Sequence, residues 1–318
     1  MKPPYSITPR TLELIASICE KIGEVKSTYL SRPPAQLRKR NRIRTIHSSL
    51  EIEGNTMTVE QITALLDNKR VLAPAKDIAE VRNAINVYDR LFDFQPYALK
   101  SLCSAHNILM QGLVDSPGKL RTSNVGIVKG NQIAHYAPPS ELIHSLLADL
   151  LNYAESDPDL MLIKSCVFHY EFEFIHPFVD GNGRIGRLWQ TVLLSQYNSV
   201  FEFLPIETLI KKRQKEYYDV LGSSDKAGNS TSFIEFMLTV INDSLEELLQ
   251  GQNVTLKSGD RVELFRVVVG GARFSRADYL RNFKDISTAT ASRDLSTAVK
   301  DGLLNKIGDG RLTVYCYV

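Results

Sequence analysis

The chain has 318 residues, of which 43% are hydrophobic, and this length and composition predict a globular protein of two or three domains. Its 38 Lys and Arg residues against 36 Asp and Glu residues give a net charge of +2, which excludes a general, charge-driven affinity for nucleic acid or membranes. Since the four cysteines are scattered and neither a signal peptide nor a membrane-spanning apolar run is visible, we expect a reducing, cytoplasmic location and no membrane partner.

Two helices are predicted near the start of the chain. Apolar residues at helical spacing predict the first from Pro9 to about Leu30, and the second runs from about Ala35 to Glu53. The second helix begins with clustered arginines and lysines, which are typical of a solvated helix face, with contact to nucleic acid as the alternative. At its other end Ser49 and Glu53 lie one turn apart on one face, and Gly54 is a natural helix stop.

The next region contains further helices and one short pair of strands. Thr58 and Gln61 predict a capping box that begins a helix, and apolar spacing predicts helices over residues 76–114 with a break at Pro96. The segments Val125-Gly126-Ile127-Val128 and Ile133-Ala134-His135-Tyr136 then flank a turn at Lys129-Gly130-Asn131. This pattern predicts a β-hairpin, and an ordinary surface loop is the alternative.

Chemically versatile residues are concentrated in the segment His176-Pro177-Phe178-Val179-Asp180-Gly181-Asn182-Gly183-Arg184-Ile185-Gly186-Arg187. The residues before it have a helical apolar period, and Pro177 must end that helix at or just before His176. Apolar residues recur at helical spacing after the glycines, so a second helix is predicted to begin near Gly183 or Arg184. The segment is therefore predicted to be a helix, a glycine turn and a helix.

A turn of this kind is suited to binding phosphate. Gly181 and Gly183 can adopt positive φ, so that backbone N–H groups converge on an anion at the positive end of the following helix. Arg184 and Arg187 lie about one turn apart on that helix, where each guanidinium can form a fork with phosphate oxygens. The spacing therefore predicts a site for a phosphorylated ligand.

Two further residues of this segment have predicted chemical roles. Asp180 directly precedes the turn and is placed to hold a Mg²⁺ ion that bridges phosphate oxygens. His176 is the one nearby group that ordinarily titrates near neutral pH, so it is the candidate general base.

Two other interpretations of the glycine turn exist. Gly181 to Gly186 also fits the dinucleotide fingerprint G-x-G-x-x-G, with Glu202 about twenty residues later. That fingerprint requires a preceding strand in a βαβ unit, whereas the upstream period is helical and the turn carries two arginines. The other interpretation is plain helix punctuation, and the two arginines on one face argue against it.

The remainder of the chain is predicted to be helical up to about residue 250. After a connector at residues 203–206, one helix carries Lys211 to Tyr218, a polar loop spans Gly222 to Ser232, and a last helix runs from Phe233 to about Leu249. Residues 251–259 are polar and predict a linker. Beyond it, three helices (Arg261 to Val269, Ser275 to Phe283 and Ser287 to Asp301) and a terminal hairpin (Leu303 to Ile307 and Leu312 to Tyr317) are predicted.

The segment His176 to Arg187 resembles the Fic motif, H-P-F-x-[D/E]-G-N-G-R-x-x-R, at every specified position. The resemblance implies a mainly α fold and transfer of AMP from ATP to a Ser, Thr or Tyr hydroxyl of a target protein. It assigns His176 as the base, Asp180 as the Mg²⁺ ligand, Gly181 to Gly183 as an anion hole, and Arg184 and Arg187 as phosphate ligands. Family members often place an aromatic side chain against the adenine, so the full expected ATP-binding set is Gly181, Asn182, Gly183, Arg184, Ile185, Gly186, Arg187 and either Tyr217 or Tyr218. For the two tyrosines, a place in the core is the equal alternative.

Two other parts of the chain resemble control and docking elements of the same family. Ser49-x-x-x-Glu53-Gly54-Asn55 resembles the inhibitory helix of autoinhibited members that carry it N-terminal to the active site, which implies that Glu53 pairs with Arg187. The hairpin is in the chain position of the Fic flap, which implies that Val125, Gly126, Ile127 and Val128 dock a target segment by strand pairing.

The predicted domains are an N-terminal helical region with the inhibitory helix (residues 1–95), a Fic catalytic core with its flap (96–250) and a C-terminal module that resembles a winged helix (251–318). Whether that module contacts DNA, a protein or a second copy of the chain in a homodimer is left open, because its third helix offers only Arg293 and Lys300. Two other functions are also left open. They are a DNA-binding regulator whose Fic core senses nucleotide, and removal of AMP with water positioned by Glu53.

Overall fold

The computed structural model describes residues 2–29, 35–129, 132–250, 258–283, 286–308, 310 and 313–318. The turn residues Gly130 and Asn131 and most of the predicted linker lie outside the described residues. Among the described residues, those at 2–29 and 40–249 form one compact unit, and those at 35–39, 250 and 258–318 form another. The predicted boundary at residue 95 lies inside the first unit, and the division there into two domains stays a prediction.

The described residues are mainly helical, as predicted. The helices in chain order are α1 (Pro9–Tyr29), α2 (Ala35–Ile52), α3 (Val59–Leu66), α4 (Ala75–Asp89), α5 (Leu99–Met110), α6 (Ile143–Ser156), α7 (Met161–Ile175), α8 (Asn182–Tyr197), α9 (Ile206–Lys212), α10 (Gln214–Ala227), α11 (Thr231–Gln250), α12 (Ser258–Val269), α13 (Arg276–Asn282) and α14 (Thr288–Lys300). The strands are β1 (Gly126–Lys129), β2 (Gln132–Tyr136), β3 (Phe274–Ser275), β4 (Leu304–Ile307) and β5 (Val314–Tyr317). No helix among the described residues has both the length and the apolar character needed to cross a membrane.

Helices α7 and α8 form the centre of the first unit. Most residues of α7 are buried, including Phe168 and Phe172, whose rings stack with centroids 6.0 Å apart. Trp189 on α8 is fully buried and donates its indole N–H to the Pro96 carbonyl at 2.9 Å. Because both helices are enclosed by apolar side chains, the segment that joins them, residues 176–181, is held between two rigid elements.

Several helix ends follow directly from local sequence. The Thr58–Gln61 capping box is confirmed, with reciprocal bonds of 3.3 and 2.9 Å. Gly54 follows α2 with a φ of +91°, a conformation that a glycine adopts without steric cost. Ser287 caps α14, as its position predicts, by accepting a hydrogen bond from the Thr290 N–H at 3.1 Å.

Two predictions for residues 206–232 are wrong. The predicted single helix is two helices, α9 and α10, separated at Arg213, whose guanidinium pairs with Asp243 at 2.5 Å. The predicted polar loop from Gly222 is mostly helix, because α10 continues to Ala227. Two of its polar residues pack against the rest of the unit. Ser224 is buried, and Asp225 accepts a hydrogen bond from the Tyr170 hydroxyl at 2.9 Å.

The predicted hairpin before α6 is present as an antiparallel pair of β1 and β2, with a bulge between Ile127 and Val128. In the described part of the chain each strand pairs only with the other, so each keeps one open edge. Val125 precedes the hairpin, and its carbonyl accepts from the Ala137 N–H at 3.3 Å.

The second unit combines α12, α13 and α14 with an antiparallel sheet of order β3-β5-β4. Its core contains Phe265, Phe274, Tyr279 and Leu295. Arg261 on α12 forms two hydrogen bonds of 2.6 and 2.9 Å with Asp294 on α14, to which the Tyr279 hydroxyl of α13 also donates at 3.2 Å. The strand β3 is an addition to the predicted three helices and hairpin, and the likeness to a winged helix stays a prediction.

Candidate active site

His176 caps the C-terminal end of α7 in a left-handed conformation, with φ 49° and ψ 59°. Its N–H still donates to the Phe172 carbonyl at 3.0 Å, and Pro177 follows, so the helix ends where the sequence predicts. A left-handed non-glycine residue costs on the order of 1–3 kcal/mol and is held there only by its surroundings. The backbone of the candidate base is therefore fixed by tertiary contacts.

The loop after His176 is stabilised by a side chain at its own end and by two side chains of α5. The Asn182 side chain accepts from the Phe178 N–H and donates to the Phe178 carbonyl, both at 2.9 Å. His106 on α5 stacks on the Phe178 ring with centroids 3.7 Å apart, and its Nε2 lies 2.9 Å from the Asp180 carbonyl. Gly181 has a φ of +84°, and a Cβ added to it would lie 2.7 Å from the Met110 sulfur. The positive φ therefore favours a glycine at this position.

Only the backbone of Asn182 is left for the predicted anion hole, because its side chain is used inside the loop. Asn182 and Gly183 are the first two residues of α8, where N–H groups have no acceptor within the helix and the helix dipole favours anions. The structure thus forms the predicted glycine turn at a helix N-terminus.

Arg184 is buried in a network of carboxylates and amides. Its Nη1 lies 3.0 Å from Glu80 Oε1 on α4, and its Nη2 lies 3.1 Å from Asp180 Oδ1. The other oxygen of Glu80 accepts from the Asn55 amide at 2.8 Å. Asn55 lies three residues after the end of α2, so this network links the segment after that helix to the motif.

Arg187 meets the helix predicted to be inhibitory. Its Nη2 lies 2.7 Å from Glu53 Oε1 and 3.0 Å from the Ser49 carbonyl, and its Nε lies 3.2 Å from Ser49 Oγ. The Arg187 side chain is 1% exposed and that of Glu53 27%. Despite the burial of its guanidinium, the Arg187 pKa is raised, because Glu53 stabilises the charged form.

The carboxylate of Glu53 also covers the glycine turn. A Cβ placed on Gly183 would lie 2.7 Å from Glu53 Oε1 and 3.1 Å from Arg187 Nη1. An anion in front of Gly183 would meet the negative charge of Glu53 there. The ion pair between Glu53, which directly follows α2, and Arg187 on α8 therefore occupies one side of the predicted phosphate site.

A buried polar cluster lies behind Arg187. His169 Nδ1 donates to Gln190 Oε1 at 2.7 Å, so His169 Nε2 accepts from the Tyr217 hydroxyl at 3.1 Å. Burial lowers the pKa of His169 to about 3, and burial together with the nearby Glu53 raises the pKa of Glu173 to about 7. One oxygen of Glu173, Oε1, is buried, and no hydrogen-bond donor for it is found among the described residues. A Cβ added to Gly186 would lie 3.0 Å from this Glu173 oxygen.

Asp180 is the one motif carboxylate at the mouth of the site, with a side chain that is 56% exposed. Within the ranges that the structure describes, no three His, Cys, Asp or Glu side chains form a group that could hold a metal ion by themselves. A hard carboxylate oxygen beside a phosphate site fits Mg²⁺, which is commonly held by one or two carboxylates, waters and substrate phosphates.

Three residues of the expected ATP-binding set are packed in the interior of the protein. Ile185 is fully buried and its N–H donates to the Gly181 carbonyl at 3.0 Å, so it packs in the core. Gly186 faces Glu173 and His169 in the interior. Tyr217 is 1% exposed and bonded to His169, which agrees with the core alternative, whereas Tyr218 is 37% exposed and stays the candidate beside the adenine.

A family model described as Fic/DOC matches residues 96–194, which include the whole motif and both strands of the hairpin, β1 and β2. The crystal structure of a Fic family protein from Desulfovibrio desulfuricans G20 superposes with a TM-score of 0.76 at 39% identity and covers 100% of this chain and 98% of that one. The chain belongs to the Fic family.

Three other relatives share less sequence identity with the chain. The nematode Fic-1 from C. elegans has a TM-score of 0.62 at 17% identity, over 78% of this chain and 76% of that one, which shows a shared fold. The curated protein adenylyltransferase Fic of Nematostella vectensis is 24% identical over 77% of this chain and 59% of its own length. That of Caenorhabditis briggsae, fic-1, is 26% identical over 60% of this chain and 38% of its own length. This Fic protein thus spans about two fifths to three fifths of these two relatives.

Sequence reasoning missed four residues that surround the Fic motif: Glu80, His106, Arg121 and Glu173. Three of them lie far from the motif in the chain, where a single Glu, His or Arg has no distinguishing local pattern. Glu173 lies only three residues before His176, but a carboxylate on a helix is usually solvated, and only the packing of α7 shows that one of its oxygens is buried.

Proposed function

We propose that this Fic protein transfers AMP from ATP to a hydroxyl side chain of a target protein, and that Glu53 restrains the reaction. The observation that carries the proposal is that His176, Asp180, the Gly181–Gly183 turn, Arg184 and Arg187 surround one helix N-terminus, with Glu53 paired to the last of them at 2.7 Å. Relatives of the chain are named protein adenylyltransferases, which supports the same activity.

The phosphates are proposed to bind at the N-terminus of α8. The backbone N–H groups of Asn182 and Gly183 and the guanidinium of Arg184 would neutralise charge on the α- and β-phosphates. Arg187 would take the γ-phosphate. Because in-line attack requires the α-phosphorus to be presented accurately, these contacts act mainly by positioning.

His176 is proposed to take the proton of the target hydroxyl as its oxygen attacks the α-phosphorus. The bond that forms joins that oxygen to phosphorus, the bond that breaks leads to pyrophosphate, and no covalent enzyme intermediate is required. Asp180 would hold a Mg²⁺ ion, and the bound ion would neutralise negative charge on the phosphates. The open strand edge beside Val125 and Gly126 is proposed to align the target segment.

Glu53 is proposed to inhibit by competition. While Glu53 is paired with Arg187, the γ-phosphate lacks the Arg187 guanidinium as its partner. It is also repelled by the Glu53 carboxylate, which lies close to Gly183. ATP can then bind only with its triphosphate displaced. Inhibition on this account lowers the transfer rate more than it lowers the affinity for ATP.

The test is mass spectrometry of the Glu53→Gly protein incubated with ATP and Mg²⁺ in cell lysate, with Glu53→Gly/His176→Ala as the matched control. We expect lysate proteins, or the chain itself, to gain the mass of AMP on a hydroxyl residue in the first sample and not in the second. Labelling in neither sample, or in both equally, would contradict the proposal.

A further inference from the structure

Arg121, between α5 and β1, makes an unusual set of contacts. The residue is 3% exposed, and each acceptor of its guanidinium among the described residues is a backbone carbonyl. Nε donates to the His176 carbonyl at 2.8 Å, and Nη1 donates to that of Ser123 at 2.7 Å. Nη2 donates to the carbonyls of Pro138 at 2.6 Å and Ile175 at 3.3 Å. The backbone N–H of Arg121 adds a bond of 2.9 Å to the Pro177 carbonyl.

These acceptors belong to two different parts of the site. Ile175 and His176 end α7, where carbonyls lack helical partners and the helix dipole is negative, so a buried cation is favourable there. Ser123 and Pro138 lie just before β1 and just after β2, at the two ends of the hairpin. A single side chain therefore connects both ends of the hairpin to the backbone of His176.

We propose that Arg121 is a positioning residue that holds the hairpin and His176 in a fixed relation. The inference rests on the proposed function, in which a target hydroxyl is aligned by the hairpin and deprotonated by His176. The reacting oxygen is then located by two elements that are distant in the chain. Their relative placement decides whether the oxygen lies in line with the α-phosphorus, and a displacement of 1 Å can cost about 100-fold in rate.

Only an arginine can make this set of contacts. The guanidinium is planar, stays charged and presents five donors in a rigid fork, whereas the ammonium of lysine is a single point with three donors. Arg121→Lys therefore keeps the charge at the end of α7 but cannot reach the carbonyls on both sides. The residues proposed to contact the phosphates do not include Arg121, so we expect the affinity for ATP not to depend on it.

The experiment places Arg121→Lys and Arg121→Ala in the Glu53→Gly chain, with Arg70→Lys and Arg70→Ala, at an exposed arginine, as matched controls. AMP transfer to lysate proteins is measured with radiolabelled ATP over a range of ATP concentrations. We expect the maximal rate of both Arg121 variants to fall about 100-fold while the KM for ATP changes less than about twofold. The Arg70 variants should match the parent.

Amide hydrogen exchange gives a second readout that needs no activity. In the Arg121 variants, exchange should accelerate both in peptides of residues 122–126 and 137–142 and in peptides of residues 172–178. The inference would be overturned if exchange accelerated only in the hairpin peptides or only in the peptides of residues 172–178. It would also be overturned if Arg121→Lys left the transfer rate unchanged, or if the loss of ATP affinity equalled the loss of rate. If the Glu53→Gly parent itself transfers no AMP, the proposed function fails, while the exchange data still decide whether Arg121 connects the two segments. Should Arg121→Ala unfold, Arg121→Lys decides alone.

Discussion

Replacement of Glu53 by glycine should release this Fic protein from inhibition. Glu53 and Arg187 are joined at 2.7 Å, with side chains that are 27% and 1% exposed. A hydrogen bond between charged groups in such surroundings contributes about 1.5–3 kcal/mol. If the productive pose of ATP requires this bond to break, its removal lowers the barrier by at most that amount. The expected gain in transfer rate is therefore roughly tenfold to 100-fold.

The same substitution should make the protein without ATP less stable. Arg187 would keep its bonds to Ser49 but lose its ion-pair partner, and an uncompensated buried charge is destabilising. We expect the free energy of unfolding to fall by about 1–3 kcal/mol. ATP at about 100 times its Kd raises the free energy of unfolding by about 2.7 kcal/mol. If Arg187 binds phosphate once Glu53 is removed, this stabilisation by ATP should be larger in the variant than in the wild type.

The assay combines radiolabelled AMP transfer with thermal unfolding, each with and without ATP and Mg²⁺. Glu51→Gly is the matched control, since it places the same change two residues earlier, in the last turn of α2, at a carboxylate that pairs with Lys211 and His47. Glu53→Gln tests the charge without adding glycine flexibility. The reasoning is refuted if Glu53→Gly labels no faster than wild type, if Glu51→Gly activates as strongly, or if Glu53→Gly/Arg187→Ala is as active as Glu53→Gly alone.

The remaining predictions concern three other side chains. His176→Ala should abolish transfer while ATP affinity in equilibrium binding is nearly unchanged, and a residual rate above about a hundredth would mean that another base serves. Asp180→Ala should lose both activity and the dependence of ATP binding on Mg²⁺, and an unaltered Mg²⁺ titration would remove Asp180 from the metal site. Because the pKa of Glu173 is raised to about 7, the folded chain binds its proton more tightly than the unfolded chain, so stability falls as pH rises towards 7. Glu173→Gln should flatten that slope in denaturant unfolding by up to about 1.4 kcal/mol per pH unit, and an unchanged slope would show that other groups account for it.

Local chemistry allowed much of the fold to be predicted. Pro177 ends α7, Gly54 follows α2, and the Thr58 and Ser287 caps begin α3 and α14, all within a residue or two of the predicted positions. Each of these features depends on neighbours within one helical turn. The error in α10 has the opposite origin, since Ser224 and Asp225 are ordinary loop residues until tertiary partners bury or bond them.

The motif could be identified from the chain alone, because the spacing of His176, Asp180, Gly181, Gly183 and the two arginines requires no knowledge of distant contacts. The side chains that surround the motif, in contrast, depend on how separate helices pack. Glu53 meets Arg187 across 134 residues and Glu80 meets Arg184 across 104. Such pairs arise from the packing of separate helices around α7 and α8, and a lone carboxylate or arginine carries no local signal of the partner that packing will bring to it.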